Sequence, residues 1–250
     1  MLKDFTKETF DIIIQGGQSN AEGCGMGAVE FPFEMNPDIY QMDGDFIISK
    51  AREVIWGNEV IGNFVLPFAA NYVKDGKLKT GRKLLILLTA VGGTGFFDNR
   101  WGKNDDLFLR MTEMIKTALD LNPANRVVAF VWHQGETDTN APDRDVHYNN
   151  LHYLVSSVRK TAKEESLPFV AGDFVHHWKM NPDNLNRCIP IIKAIKDLCT
   201  DIGNAAFTET DGLLSNDEKT GNGDDIHFCR EALYEMGNRY YKAFSTICYP

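Results

Sequence analysis

The chain has 250 residues, 43% of them hydrophobic, enough to bury a substantial core. Its formal charge of −9 at pH 7, with no run of Lys or Arg, argues against a nucleic-acid backbone as partner. The start, MLKDFTKETFD, lacks an apolar signal-peptide core, and nothing approaches the ~18 apolar residues of a membrane span, so a cytoplasmic protein with no membrane partner is expected.

Five short apolar, β-leaning runs occur, at residues 10–15, 83–89, 126–132, 167–173 and 204–209. After the first, two glycines read as a tight exit that presents Ser19 between Gln18 and Asn20. Residues 22–63 are the least regular part, with a hairpin expected at Asp43-Gly44 between 39–42 and 46–49. Residues 64–73 read as a short helix. Next, Leu107, Met111, Met114, Ile115, Ala118 and Leu119 share one helical face, with Asn104 as the expected cap and Asn122-Pro123 as the stop. Further stripes follow at Leu151, Leu154, Val155, Val158 and Ala162, then at Ile191, Ile195 and Leu198. Leu233, Met236, Tyr240 and Phe244 close the chain.

Strands alternating with helices imply right-handed crossovers and a parallel sheet covered on both faces. The expected fold is α/β: one three-layer α/β/α domain over residues 1–250, with a mostly parallel, five-stranded sheet. The irregular insertion at 22–63 would land on the strands' C-terminal edge, where open α/β sheets place their sites. There it is either a wall of the pocket or a plain surface excursion.

Polar or glycine-rich clusters follow the early strands: GGQSN after the first, VGGTGF after the second and HQGETD after the third. The last strand leads into a loop ending DDIHF. All four meet at one sheet edge by topology, and their residue types fit acyl transfer, which needs a nucleophile, a base, a group that orients the base and donors for the oxyanion. Ser19 suits the nucleophile, His227 the base and Asp224 the orienting acid, with Asp225 as its rival. The Ser19 amide, Gly92 or Gly93, and the Gln134 side chain are the expected oxyanion donors. Taken singly, each cluster has a plainer reading as a turn, a helix cap or a helix start.

These motifs, GQSN, GGT, QGE and the DxxH of GDDIHF, resemble the SGNH-hydrolase superfamily. The match is nearest to the branch of sialate O-acetylesterases and acetylxylan esterases of carbohydrate-esterase family six. The resemblance implies a flavodoxin-like sheet, a Ser19-His227-Asp224 triad and oxyanion donors from the Ser19 amide, a glycine of the GGT block and Gln134. Two departures touch the acyl pocket and the sugar contacts: Ala21 stands where the branch often has Met, and Gly95-Phe96-Phe97 follows GGT.

Other signals lead elsewhere. GCGMGA at 23–28 fits a dinucleotide fingerprint but begins past the strand and is followed by no helix. No P-loop and no G-x-S-x-G occurs. Five scattered cysteines without a CxxC pair argue against a disulfide framework or zinc site. His176-His177 lacks evident further ligands, so neither a metal nor another cofactor is expected. Gln18, Glu136, Trp132 and His176 are assigned to the substrate side of the pocket, with Trp101 and Trp178 as further candidates to stack on a sugar. The expected function is a serine esterase that removes O-acetyl groups from a carbohydrate, of acetylated xylo-oligosaccharide or sialic acid type. Phe96 and Phe97, pointing inward, would favour a small acyl group. The alternatives are a lipase or thioesterase, and a non-catalytic carbohydrate-binding relative.

Overall fold

Three consecutive isoleucines, Ile12, Ile13 and Ile14, are fully buried in the first strand, as a central strand of a parallel sheet covered on both faces requires. The computed structural model describes residues 4–34 and 36–248. It begins with β1 (Phe10–Gly17), the short turn α1 (Ser19–Glu22), β2 (Ile39–Met42), β3 (Ile48–Lys50), β4 (Val54–Trp56) and β5 (Glu59–Ile61). Then come α2 (Val65–Lys74), β6 (Lys83–Leu88), α3 (Asp106–Asp120), β7 (Arg126–His133), α4 (Arg144–Ala162) and β8 (Phe169–Gly172). The chain closes with α5 (His176–Met180), α6 (Pro182–Asp201), β9 (Ala205–Thr208), α7 (Asn216–Thr220) and α8 (Arg230–Cys248).

The main sheet has seven strands in the order β3-β2-β6-β1-β7-β8-β9, whereas five were expected. Both extra strands come from the supposed insertion. β2 pairs in parallel with β6 (Ile39 opposite Leu84, Met42 opposite Leu87), and β3 folds back antiparallel onto β2. The hairpin is therefore where its turn residues put it, with Asp43 accepting from the Asp45 and Ile47 amides, but it extends the core sheet. A run of four residues whose partner lies 45 positions away gives periodicity nothing to detect. All other pairings in this sheet are parallel.

Adjacent residues of a strand face opposite sides, and β7 shows what each side holds. Trp132 packs edge-on against Trp101 and close to Phe96, whereas His133 meets Tyr240 of α8 and Phe64 at the start of α2. Helices thus cover both faces, giving three layers. The expected cap of α3, Asn104, is instead a left-handed residue (φ 70°), and Asp105 takes the N-cap position. α6 is longer than its apolar stripe suggested, because Asn181 caps it by accepting the Asp183 amide and Pro182 occupies its first position.

At the amino end of the sheet, the buried Asp11 carboxylate gathers Arg82, Arg126 and the Tyr72 hydroxyl. The five cysteines are free. No helix among the described residues is long and apolar enough to cross a membrane.

Candidate active site

Gly16 and Gly17 are the last residues of β1 rather than a loop after it. A Cβ on Gly16 would lie 2.9 Å from the Trp132 ring, and one on Gly17 (φ 127°) would lie 2.0 Å from the His133 carbonyl oxygen. Only glycines let β1 run this close to β7 before it turns. The Gln18 amide then donates to the His133 carbonyl at 3.0 Å, and Ser19 opens the turn of α1. As the first residue of that turn, its N–H has no partner within it.

The Ser19 hydroxyl lies 2.8 Å from His227 Nε2, and His227 Nδ1 lies 2.8 and 3.0 Å from the two Asp224 oxygens. A continuous relay therefore links residues 208 positions apart. The carboxylate on one ring nitrogen fixes the tautomer in which the other can accept a proton.

Two asparagines hold the relay. Asn216, fully buried, donates to Asp224 Oδ2 at 2.8 Å and to the Cys24 carbonyl, and accepts from the Met26 amide. Asn20, also fully buried, accepts from the Phe228 amide at 3.0 Å and donates to the Ile226 carbonyl at 3.1 Å, one residue on each side of His227. The same Asn20 amide donates to Glu136 Oε1 at 2.8 Å. Behind it, His133 Nε2 lies 3.4 Å from Glu136, and His133 Nδ1 lies 3.0 Å from the Tyr240 hydroxyl. Burial pushes the Glu136 carboxyl up, but His133 and Asn20 outweigh it and hold its pKa below the ordinary value.

The expected oxyanion donors are differently disposed. Gly92 stands beside Ser19, since a Cβ on it would lie 3.5 Å from Ser19 Cβ, and its amide donates to Glu22 Oε2 at 2.7 Å. Gly93 is exposed and left-handed (φ 69°). Gln134 does not present its side chain as expected. It is buried, and its Nε2 is engaged by Asp138 at 3.0 Å and, at 3.4 Å each, by the Thr94 carbonyl and Gln18 Oε1.

The four residues assigned to the substrate side are placed differently from one another: three are buried and one is exposed. Gln18 is buried, and its Oε1 accepts the Thr137 amide at 3.2 Å, tying the QGE loop to the Ser19 turn. Glu136 is buried behind Asn20. Trp132 is fully buried against Gly16, Trp101 and Phe130, with no face left for a ligand. His176 is exposed and pairs with Asp211 at 3.2 Å. Trp101 and Trp178 are likewise interior, Phe96 packs inward on Trp132 and His147, and Phe97 is 53% exposed, so the pair does not close an acyl pocket.

Asn20, Asn216 and Asp138 escaped the sequence reading. Asp138, in the quoted HQGETD, accepts the Phe97 amide at 2.7 Å and lies 3.0 Å from His147 Nδ1, linking the second and third motifs. Burial pushes its pKa up, and His147, the Phe97 amide and Gln134 outweigh that, leaving it lowered. The available signal for Asn20 and Asp138 was position, since each is a short polar residue inside a motif already singled out; Asn216, eight residues before Asp224, carried none. No cluster of three or more His, Cys, Asp or Glu side chains suited to a metal occurs among the described residues.

Comparison with known proteins concerns the fold and the family. The chain superposes on the crystal structure of NanS with a TM-score of 0.78 at 18% identity, covering 96% of this chain and 98% of that one. It superposes on a protein from Arabidopsis thaliana with a TM-score of 0.74 at 19% identity, covering 94% and 98%. A curated relative, a probable 9-O-acetyl-N-acetylneuraminic acid deacetylase from Escherichia coli K12, is 28% identical over 90 residues. That match spans 33% of this chain and 28% of the relative. The model of the carbohydrate esterase, sialic acid-specific acetylesterase family matches residues 9–246, and the chain belongs to that family.

Proposed function

We propose that this protein is a serine esterase that removes O-acetyl groups from a carbohydrate through an acyl-enzyme. The observation that carries the reading is the unbroken relay from Ser19 through His227 to Asp224. His227 Nε2 takes the hydroxyl proton as Ser19 Oγ bonds to the ester carbonyl carbon. The carbonyl π electrons move onto oxygen, and the amides of Ser19 and Gly92 stabilise that charge. Collapse of the tetrahedral species breaks the bond to the sugar oxygen, which leaves with the proton from His227. Water, deprotonated by the same imidazole, then adds to the acetyl-enzyme, and acetate departs as Ser19 regains its proton. Asp224 holds the ring throughout.

An acetyl ester on a sugar is favoured by membership of the family and by the name of the bacterial relative. The test measures acetate release from acetylated xylo-oligosaccharides and from O-acetylated sialic acids, with acetyl and octanoyl p-nitrophenyl esters beside them. Ser19→Ala should lower kcat about 10⁴-fold or more while the protein stays folded. A folded, active Ser19→Ala variant, or a preference for the octanoyl ester, overturns the reading.

A further inference from the structure

We propose that Glu22 is a specificity-determining residue: its carboxylate occupies the oxyanion amide of Gly92, so every substrate must displace it and an anionic one is disfavoured. This rests on the acyl-enzyme reading above and adds the charge class of the preferred sugar.

Three groups converge at one point. Glu22 Oε2 accepts the Gly92 N–H at 2.7 Å, and a Cβ on Gly92 would lie 3.1 Å from that oxygen and 3.5 Å from Ser19 Cβ. Glu22 belongs to the same turn as Ser19, three residues further on, which places both side chains on one side of it. A carboxylate oxygen on an oxyanion donor is the charge that the donor would meet in the tetrahedral intermediate, supplied by the protein instead of the substrate. The side chain is exposed, and no Lys or Arg among the described residues pairs with it, so nothing anchors it there except the Gly92 amide.

The carboxylates at the site itself are Glu22, on the Gly92 amide, and Asp224, on His227. The Cys24 thiol is pushed up to about 12, first by burial and then by the charges of Glu22, Asp224 and Glu136 together. A neutral acetylated sugar has only to displace Glu22 from the amide. A sugar acid with a carboxylate near its ester meets the exposed Glu22 carboxylate beside Ser19 as a like charge.

The experiment compares wild type, Glu22→Gln and Glu22→Ala, with Ser19→Ala as control. The substrates are p-nitrophenyl acetate, an acetylated xylo-oligosaccharide and 9-O-acetyl-N-acetylneuraminic acid. Freeing an amide that is mostly occupied raises apparent affinity in proportion to the freed fraction, so kcat/KM for p-nitrophenyl acetate should rise about 3- to 10-fold in Glu22→Ala. Glu22→Gln, which keeps a neutral acceptor, should fall between. The ratio of kcat/KM for the sialic acid ester to that for the xylo-oligosaccharide should rise in both variants, and added acetate should inhibit Glu22→Ala more strongly than wild type. Unchanged or reduced kcat/KM for p-nitrophenyl acetate in folded Glu22 variants, or an unchanged ratio between the two sugars, overturns the proposal. If Ser19→Ala is inactive while the Glu22 variants behave as wild type, only the role of Glu22 fails. An active Ser19→Ala would overturn the underlying reading instead.

Discussion

The Asn20 amide donates to the buried Glu136 carboxylate at 2.8 Å, joining the residue after Ser19 to the third strand motif. With that bond fixing its orientation, Asn20 grips the backbone on both sides of His227. The position of the proposed base therefore depends on a carboxylate that faces neither Ser19 nor solvent.

Asn20→Ala leaves the Phe228 N–H without its acceptor and Glu136 with only His133 beside it, all in a buried region. A loss of about 1–3 kcal/mol in stability is expected from unsatisfied buried groups of this kind. Because the His227 segment loses its clamp, kcat should fall about 10²-fold with KM little changed, the usual scale for a misplacement of about 1 Å. Steady-state kinetics on protein verified as folded checks this. A variant that loses stability but keeps wild-type kcat would leave Asn20 a structural residue only.

Acid should unfold the protein through Glu136 and Asp138. In both, burial raises the pKa but hydrogen-bonded partners outweigh it, so the folded value lies below the ordinary one. A carboxyl of this type contributes stability that is fully present above its unfolded pKa, about 4, and is lost as pH falls through the folded value. Tm should hold from neutral pH to about 5 and drop below about 4. Glu136→Gln should be less stable than wild type at pH 7 and show a shallower drop in acid. Equal slopes for the two proteins would remove Glu136 from the account.

Asp11→Ala tests the opposite end of the sheet. It removes the acceptor shared by Arg82, Arg126 and Tyr72, and the lost partner of a buried charge typically costs about 3–5 kcal/mol. The Arg126 side chain is 55% exposed and regains water, so the lower end, about 3 kcal/mol, is expected. The midpoint of urea unfolding should fall while kcat per folded molecule stays the same. A changed kcat would mean that strain at this end reaches the site.

What the sequence determined by itself was the alternation and the chemistry at its edge. Apolar runs such as FDIII and the stripe from Leu107 to Ala118 carry their own periodicity, and Ser19, Asp224 and His227 stand in short motifs that each follow strand sequence. What the tertiary structure decided was the partner of every short polar side chain. Gln18, Gln134 and Glu136 look like pocket residues in a linear reading, yet each is buried and hydrogen-bonds across from one motif loop to another. The parallel pairing of β2 with β6 and the fit of Gly16 and Gly17 against β7 were hidden for the same reason. Periodicity is a property of neighbours along the chain. A hydrogen-bond partner or a close backbone approach is set by strands far apart in sequence, and it exists only once the sheet has formed.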